Sequence, residues 1–79
     1  MGHAQFLSER YEAAAEELKA AVSIVPTAPA AHYYLGRSYE KLGRRAEAIE
    51  SYENASTLAP ESDIGKDAGR RASTLKTGG

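Results

Sequence analysis

The amino-acid sequence of this chain repeats at an interval of 34 residues. A fixed period in this range indicates an array of stacked helical hairpins, in which each hairpin buries its apolar face against the next. Most of the repeated residues are small or turn-forming, as expected where helices approach closely or where one hairpin leads into the next. The identical pairs include Gly2 with Gly36, Ala14 with Ala48, Glu16 with Glu50, Ala21 with Ala55, and Pro26 with Pro60.

Within each period, apolar residues recur every three or four positions, which is typical of amphipathic helices. Pro29 suits the first turn of a helix, Gly43 suits a helix end, and Pro60 closes the next helical segment. Ser62 is placed to cap a last helix. We expect helices at about residues 11–24, 29–42, 45–58 and 63–75, preceded by an incomplete helical segment that opens the chain.

The composition narrows the possible classes of function. The chain has 79 residues and no cysteine, so neither a disulfide nor a thiolate metal site can supplement a small core. The absence of cysteine also fits a reducing compartment such as the cytoplasm. Ten basic and eleven acidic residues give a net charge of −1, without the basic excess that nucleic-acid binding requires. No apolar run approaches the roughly 20 residues that span a bilayer, and no secretory signal is visible. We therefore expect neither a nucleic-acid partner nor membrane insertion.

The second period contains a specific set of residues: Leu35, Gly36, Tyr39, Ala48, Tyr52, Ala55 and Pro60, with His32 where a large aromatic residue is common. With this set, residues 29–60 resemble one complete tetratricopeptide repeat. The resemblance implies an all-α fold of antiparallel helical hairpins, stacked as a short right-handed solenoid. It divides a single domain into a partial repeat at 1–26, a complete repeat at 27–60 and a C-terminal capping helix at 61–76.

The resemblance also implies a function, because this family generally binds proteins or peptides along the concave surface formed by the first helix of each hairpin. An aromatic ring beside Arg and Lys could stack on an extended peptide and pair with its carboxylates. The alternative is that these are ordinary solvated side chains. By position, the concave surface includes Tyr33, Arg37, Glu40 and Lys41 from the complete repeat, His3 and Phe6 from the partial one, and Asp67 and Arg71 from the last helix.

One subset of the family clamps the C-terminal carboxylate of a peptide with Lys and Asn side chains. Here Tyr34 and Arg37 stand at the two asparagine positions. Ile64 and Ala68 stand where the clamp expects Lys and Arg. The sequence therefore does not predict binding to chaperone tails.

Five tyrosines raise the alternative of a recognition cage. Tyr39 and Tyr52 fall on buried positions of the repeat, and Tyr11 is expected to pack at the turn of the first hairpin. Tyr33 and Tyr34 are adjacent on a helix, so they cannot both face the core. Of these two, we expect Tyr33 to be available to a ligand.

No constellation of residues indicates catalysis, a cofactor or a metal. His3 and His32 are 29 residues apart, without a second ligand pair at helical spacing. Gly65 and Lys66 lack the rest of a phosphate-binding loop, and no serine or histidine has the spacing of a nucleophile and its base. The chain is not expected to be an enzyme.

The truncated first hairpin predicts an open end. Its exposed apolar residues would be Phe6, Leu7, Leu18 and Val22, and they could drive self-association. We expect the chain to be part of a longer protein. The leading hypothesis is a module that binds a peptide or partner protein, and the alternative is a unit that forms homo-oligomers or helix-exchanged dimers through its repeat ends.

Overall fold

The computed structural model describes the backbone of residues 2–78 and the side chains of residues 9–78. This part of the chain forms helices and connecting turns, with no strands. The all-α fold expected from the sequence is confirmed. The four helices are α1 (Gly2–Ile24), α2 (Pro29–Lys41), α3 (Arg45–Leu58) and α4 (Asp63–Thr77).

The ends of the helices follow from local chemistry. Pro29 occupies the first turn of α2, where its missing N–H leaves no hydrogen bond unmade. Gly43 ends the α2 segment with φ +78°, a left-handed conformation that other residues rarely adopt. Ser62 caps α4, because its Oγ accepts a hydrogen bond of 3.0 Å from the backbone N–H of Gly65. The bounds of α2, α3 and α4 agree with the sequence expectation to within two residues.

The first helix differs from the expectation. The sequence predicts an incomplete helix, a turn and a helix at 11–24, whereas α1 runs from Gly2 to Ile24 without interruption. The equivalent turn between α2 and α3 depends on Gly43, and one period earlier that position is occupied by Glu9. Glutamate favours a helix and disfavours positive φ, so the chain continues in helical conformation. The predicted turn is therefore wrong, and the helix contains no hairpin.

Consecutive helices pack against each other, and α2 also contacts α4. Short connections of three or four residues make each pair antiparallel neighbours. Among the described residues, α1 contacts α2 and neither α3 nor α4. Most of the core accordingly lies between α2, α3 and α4, and α1 contributes Ala15 to it. Its buried apolar residues are Ala15, Tyr33, Leu35, Tyr39, Ala48, Tyr52, Ala55, Ala68 and Ala72.

The closest approach in this core is between Gly36 of α2 and Tyr52 of α3. Tyr52 is the largest side chain that is fully buried. A Cβ atom added at Gly36 would lie 2.8 Å from Cδ1 of the Tyr52 ring. The ring therefore occupies the space that the glycine leaves, and α2 and α3 are held together by this contact.

Replacing Gly36 with alanine is expected to destabilise the fold. The added methyl group must displace a fully buried ring, and overpacking of this kind costs about 1–3 kcal/mol. The measurement is urea unfolding followed by far-ultraviolet circular dichroism.

Gly69→Ala is the matched control, because its Cβ would meet only the small Ser56 side chain, whose Oγ would lie 3.1 Å away. In a helix, alanine is intrinsically better than glycine by about 1 kcal/mol, so this variant is expected to be neutral or more stable. Equal stability of the Gly36 and Gly69 variants would contradict the packing argument.

Candidate functional site

Five side chains from three helices meet where α2 and α4 face each other. Tyr33 and Glu40 come from α2, Tyr52 from α3, and Asp67 and Arg71 from α4. We refer to these five residues as the polar cluster. The sequence placed four of them, Tyr33, Glu40, Asp67 and Arg71, on the concave surface and Tyr52 in the core. The structure joins all five through hydrogen bonds and ion pairs.

The hydrogen bonds of the polar cluster form two groups, which one ion pair joins. The Tyr33 hydroxyl donates to Oδ2 of Asp67, and Nε of Arg71 donates to the same oxygen at 2.7 Å. The Tyr52 hydroxyl donates to Oε1 of Glu40 at 2.6 Å. Arg71 also lies 3.7 Å from Glu40 Oε1, which joins the two halves. One cation thus serves two carboxylates, and each carboxylate holds one buried tyrosine.

These contacts move the pKa values of the groups that they join. The hydrogen bonds from Tyr33 and then from Arg71 lower the pKa of the Asp67 carboxyl. The bond to Asp67, assisted by burial, raises the pKa of Tyr33. Burial, followed by the bond to Glu40, raises the pKa of Tyr52. At neutral pH both phenols therefore keep their protons, and Asp67 is ionised.

The position of Tyr33 corrects an expectation. The sequence predicts that its ring is available to a ligand, whereas the structure places the ring in the core at 9 % exposure. Its neighbour Tyr34 is 47 % exposed, and the two rings meet edge to face with centroids 5.3 Å apart. Tyr33 rather than Tyr34 faces the core because its hydroxyl donates a hydrogen bond to Asp67, which lies 34 residues away in the chain. The tyrosine open to solvent is Tyr34.

Arg37 and Lys41 lie outside the polar cluster, beside a second cleft between α1 and α2. This cleft, which we call the α1–α2 groove, has a volume of about 240 Å³. Its walls are mainly apolar, and the two cations stand among them. The groove is lined by Tyr11, Ala14 and Leu18 from α1 and by Tyr34, Arg37, Ser38 and Lys41 from α2. The residues predicted on the concave surface therefore form two sets. Tyr33, Glu40, Asp67 and Arg71 contact one another in the polar cluster, whereas Arg37 and Lys41 line the α1–α2 groove.

Leu18 and Val22, which the sequence assigned to an exposed end, are half-buried and pack against the core. Phe6 and Leu7 lie outside the residues whose side chains are described, as does His3. Among the described side chains, the large apolar residues that are exposed were not predicted from the sequence. They are Ile24, Val25, Tyr34 and Leu58. Ile24 and Val25 directly precede Pro26 at the end of a helix, and this position could have indicated from the sequence that they are exposed.

Among the described side chains, no three from His, Cys, Asp and Glu converge as metal ligands would. Over the same part of the chain, no helix has both the length and the hydropathy required to cross a bilayer.

Comparison with protein families agrees with this architecture. The family model described as "TPR repeat" matches residues 2–43, and the model described as "Tetratricopeptide repeat" matches residues 29–62. The chain belongs to the tetratricopeptide repeat family. No curated protein and no solved structure matches it significantly. Tetratricopeptide repeats generally mediate protein–protein interactions, so the family is one of interaction scaffolds.

In this tetratricopeptide chain, stability should depend on pH through Asp67. Because the folded state lowers the pKa of Asp67, ionisation of this carboxyl stabilises the fold above the ordinary aspartate pKa of about 4. That stabilisation is lost as pH falls below this value and through the lowered pKa of the folded state. Asp67→Asn is expected to be less stable at neutral pH, and its difference from the parent chain should shrink on acidification. Urea unfolding at a series of pH values measures this.

Tyr33→Phe is the companion variant, because it keeps the ring and removes the hydroxyl that bonds Asp67. This variant should reduce the part of the unfolding free energy that depends on ionisation of Asp67 and is lost in acid. Glu50→Gln, at an exposed position of α3, corrects for the loss of one surface charge. A difference between parent and Asp67→Asn that stays constant from neutral to acid pH would contradict this role of Asp67.

Proposed function

We propose that the chain is a protein-interaction module that binds an acidic peptide segment of a partner protein, with Arg37 and Lys41 as the residues that pair with its carboxylates. The observation that carries the proposal is the difference between these two cations and Arg71. Arg71 is neutralised within the polar cluster. Among the described residues, neither Arg37 nor Lys41 has an ion pair, and both are exposed.

The spacing on α2 explains why these cations are free. Arg71 finds Asp67 one turn earlier on its own helix. Four positions before Arg37 the residue is Tyr33, and four positions before Lys41 it is Arg37, so neither cation has a carboxylate one turn earlier. Like charges at i and i+4 repel by a few tenths of a kcal/mol. Binding of a carboxylate would relieve that repulsion, and a charge-assisted hydrogen bond would add to the gain.

Tyr34 supports the same binding surface. Its ring is exposed, lines the α1–α2 groove with both cations, and leans edge to face on the buried Tyr33. A tyrosine fixed in this way offers contact area at a low cost in side-chain entropy. The polar cluster beneath it supports α2 and leaves few free groups of its own. The peptide that fits best carries acidic residues next to an apolar or aromatic one.

The test is a set of fluorescently labelled peptides that are acidic, neutral or basic around a common aromatic residue, with binding followed by anisotropy. The acidic peptides are expected to bind most tightly, and their affinity should fall with salt. Arg37→Ala with Lys41→Ala should weaken this binding at least tenfold, about 1.4 kcal/mol, while helicity is unchanged.

Lys19→Ala with Lys66→Ala is the matched control, since it removes two exposed positive charges from α1 and α4. This pair should retain the affinity of the parent chain to within about twofold. If both double variants lose affinity equally, the attraction belongs to net charge, and the assignment to Arg37 and Lys41 fails. Preference for neutral or basic peptides would also overturn it.

A further inference from the structure

The α1–α2 groove has a counterpart elsewhere in the same chain. One period later, Ala14 corresponds to Ala48 and Leu18 to Tyr52. Ala48 and Tyr52 are completely buried, because α2 packs over them and brings Gly36 against the Tyr52 ring. In α1, by contrast, Ala14 and Leu18 are half-buried and line an open cleft. The groove is thus the place where a helix equivalent to α2 would pack.

The sequence of such a helix is present in the chain. The residue one period before Gly36 is Gly2, and the stretch from Gly2 to Glu9 corresponds to the second half of α2 and its turn. This stretch cannot reach the groove of its own chain while α1 is straight. Eight residues of helix carry it about 12 Å further along the axis. The glycine that would let it turn back, present at position 43, is replaced by Glu9.

A second copy of the chain can supply the segment. If two straight α1 helices lie antiparallel, the start of each reaches the groove of the other. The contact of Gly36 with Tyr52, moved back by one period, pairs Gly2 of one copy with Leu18 of the other. A twofold axis then passes near residue 10. Both grooves are filled by the same operation, so the assembly closes as a dimer.

The composition of the exchanged segment is compatible with the groove. Residues 2–9 contain one acidic residue, Glu9, and neither Lys nor Arg. No Lys or Arg of the segment therefore meets Arg37 and Lys41 at the groove edge on α2.

We propose that the α1–α2 groove binds the first two turns of α1 from a second copy of this chain, so that two chains exchange these segments and complete each other's first hairpin. The exchanged contacts replace those that a turn at residues 8–10 would have made within one chain, and exchange of identical elements is a low-cost route to a dimer. The exchanged segment and the acidic peptide of the proposed function would occupy the same groove and therefore compete for it. The experiments below test the exchange in the absence of peptide, so their outcome is independent of peptide binding by Arg37 and Lys41.

The first experiment is sedimentation equilibrium from micromolar to millimolar concentration, which is expected to show a monomer–dimer equilibrium. Ala14→Arg places a long cation on the groove floor and should raise the dissociation constant of the dimer at least tenfold. Ala13→Arg is the matched control, because Ala13 is the exposed neighbour on α1, and it should change that constant by less than about twofold. Circular dichroism confirms that both variants are folded. A monomer at every concentration, or an equal effect of both variants, overturns the proposal.

The second experiment tests the register with the double variant Gly2→Cys and Leu18→Cys, since the chain has no cysteine of its own. Within one straight helix these positions lie about 24 Å apart, far beyond the reach of a disulfide. Mild oxidation is therefore expected to give a covalent dimer. A disulfide-linked monomer would show that each chain folds back on itself, and this result overturns the exchange.

Gly2→Cys with Ala13→Cys serves as the control for random oxidation. It should form at least fivefold less covalent dimer under the same conditions, because Ala13 does not line the groove. Equal yields from the two cysteine pairs also count against the proposal.

Discussion

The structure depends on the contact between the Tyr52 ring and the bare backbone at Gly36. Because glycine has no side chain, α2 approaches α3 closely enough for the ring to be fully buried. Burying a tyrosine requires a partner for its hydroxyl, and Glu40 on α2 accepts that hydrogen bond. The carboxylate is then shared with Arg71 of α4. Packing between two helices thus fixes the polar contacts that attach a third.

This coupling gives the polar cluster a structural role. Tyr33 and Tyr52 each bring a phenol to the edge of the core, and Asp67 and Glu40 accept their protons in hydrogen bonds. Arg71 pairs with both carboxylates, and all three side chains are only partly exposed. A network whose members satisfy one another holds a fixed geometry and has little free capacity for a ligand. The polar groups of α2 that remain available to a ligand lie on its other side, facing α1.

The sequence predicted the parts of the fold that depend on period and on short-range chemistry. Ala48, Tyr52 and Ala55 were placed in the core by their positions in the repeat, and all three are completely buried. The Ser62 cap and the glycine at position 43 are local signals. The exposure of Tyr33 and Tyr34 could not be predicted in this way. It is decided by Asp67, which lies on another helix and far along the chain.

The course of α1 was also mispredicted, for a related reason. The 34-residue period favours a turn near residue 9, but a period states which positions correspond and does not guarantee the backbone conformation there. The turn requires positive φ, and Glu9 makes that conformation costly. One substitution at a turn therefore outweighs several matches in the helices on either side. The period alone would have placed a hairpin where the chain forms a single helix.

The two sides of α2 consequently differ in what they leave unsatisfied. On the side of α3 and α4, apolar groups are buried and charges are paired. On the side of α1, only one helix covers α2, and the groove retains an exposed tyrosine, two cations and an apolar floor. Apolar surface and uncompensated charge both gain free energy from contact with a suitable partner. Since a straight α1 prevents the chain from covering this surface with its own first residues, the same local constraint that removes the turn also leaves α2 able to bind.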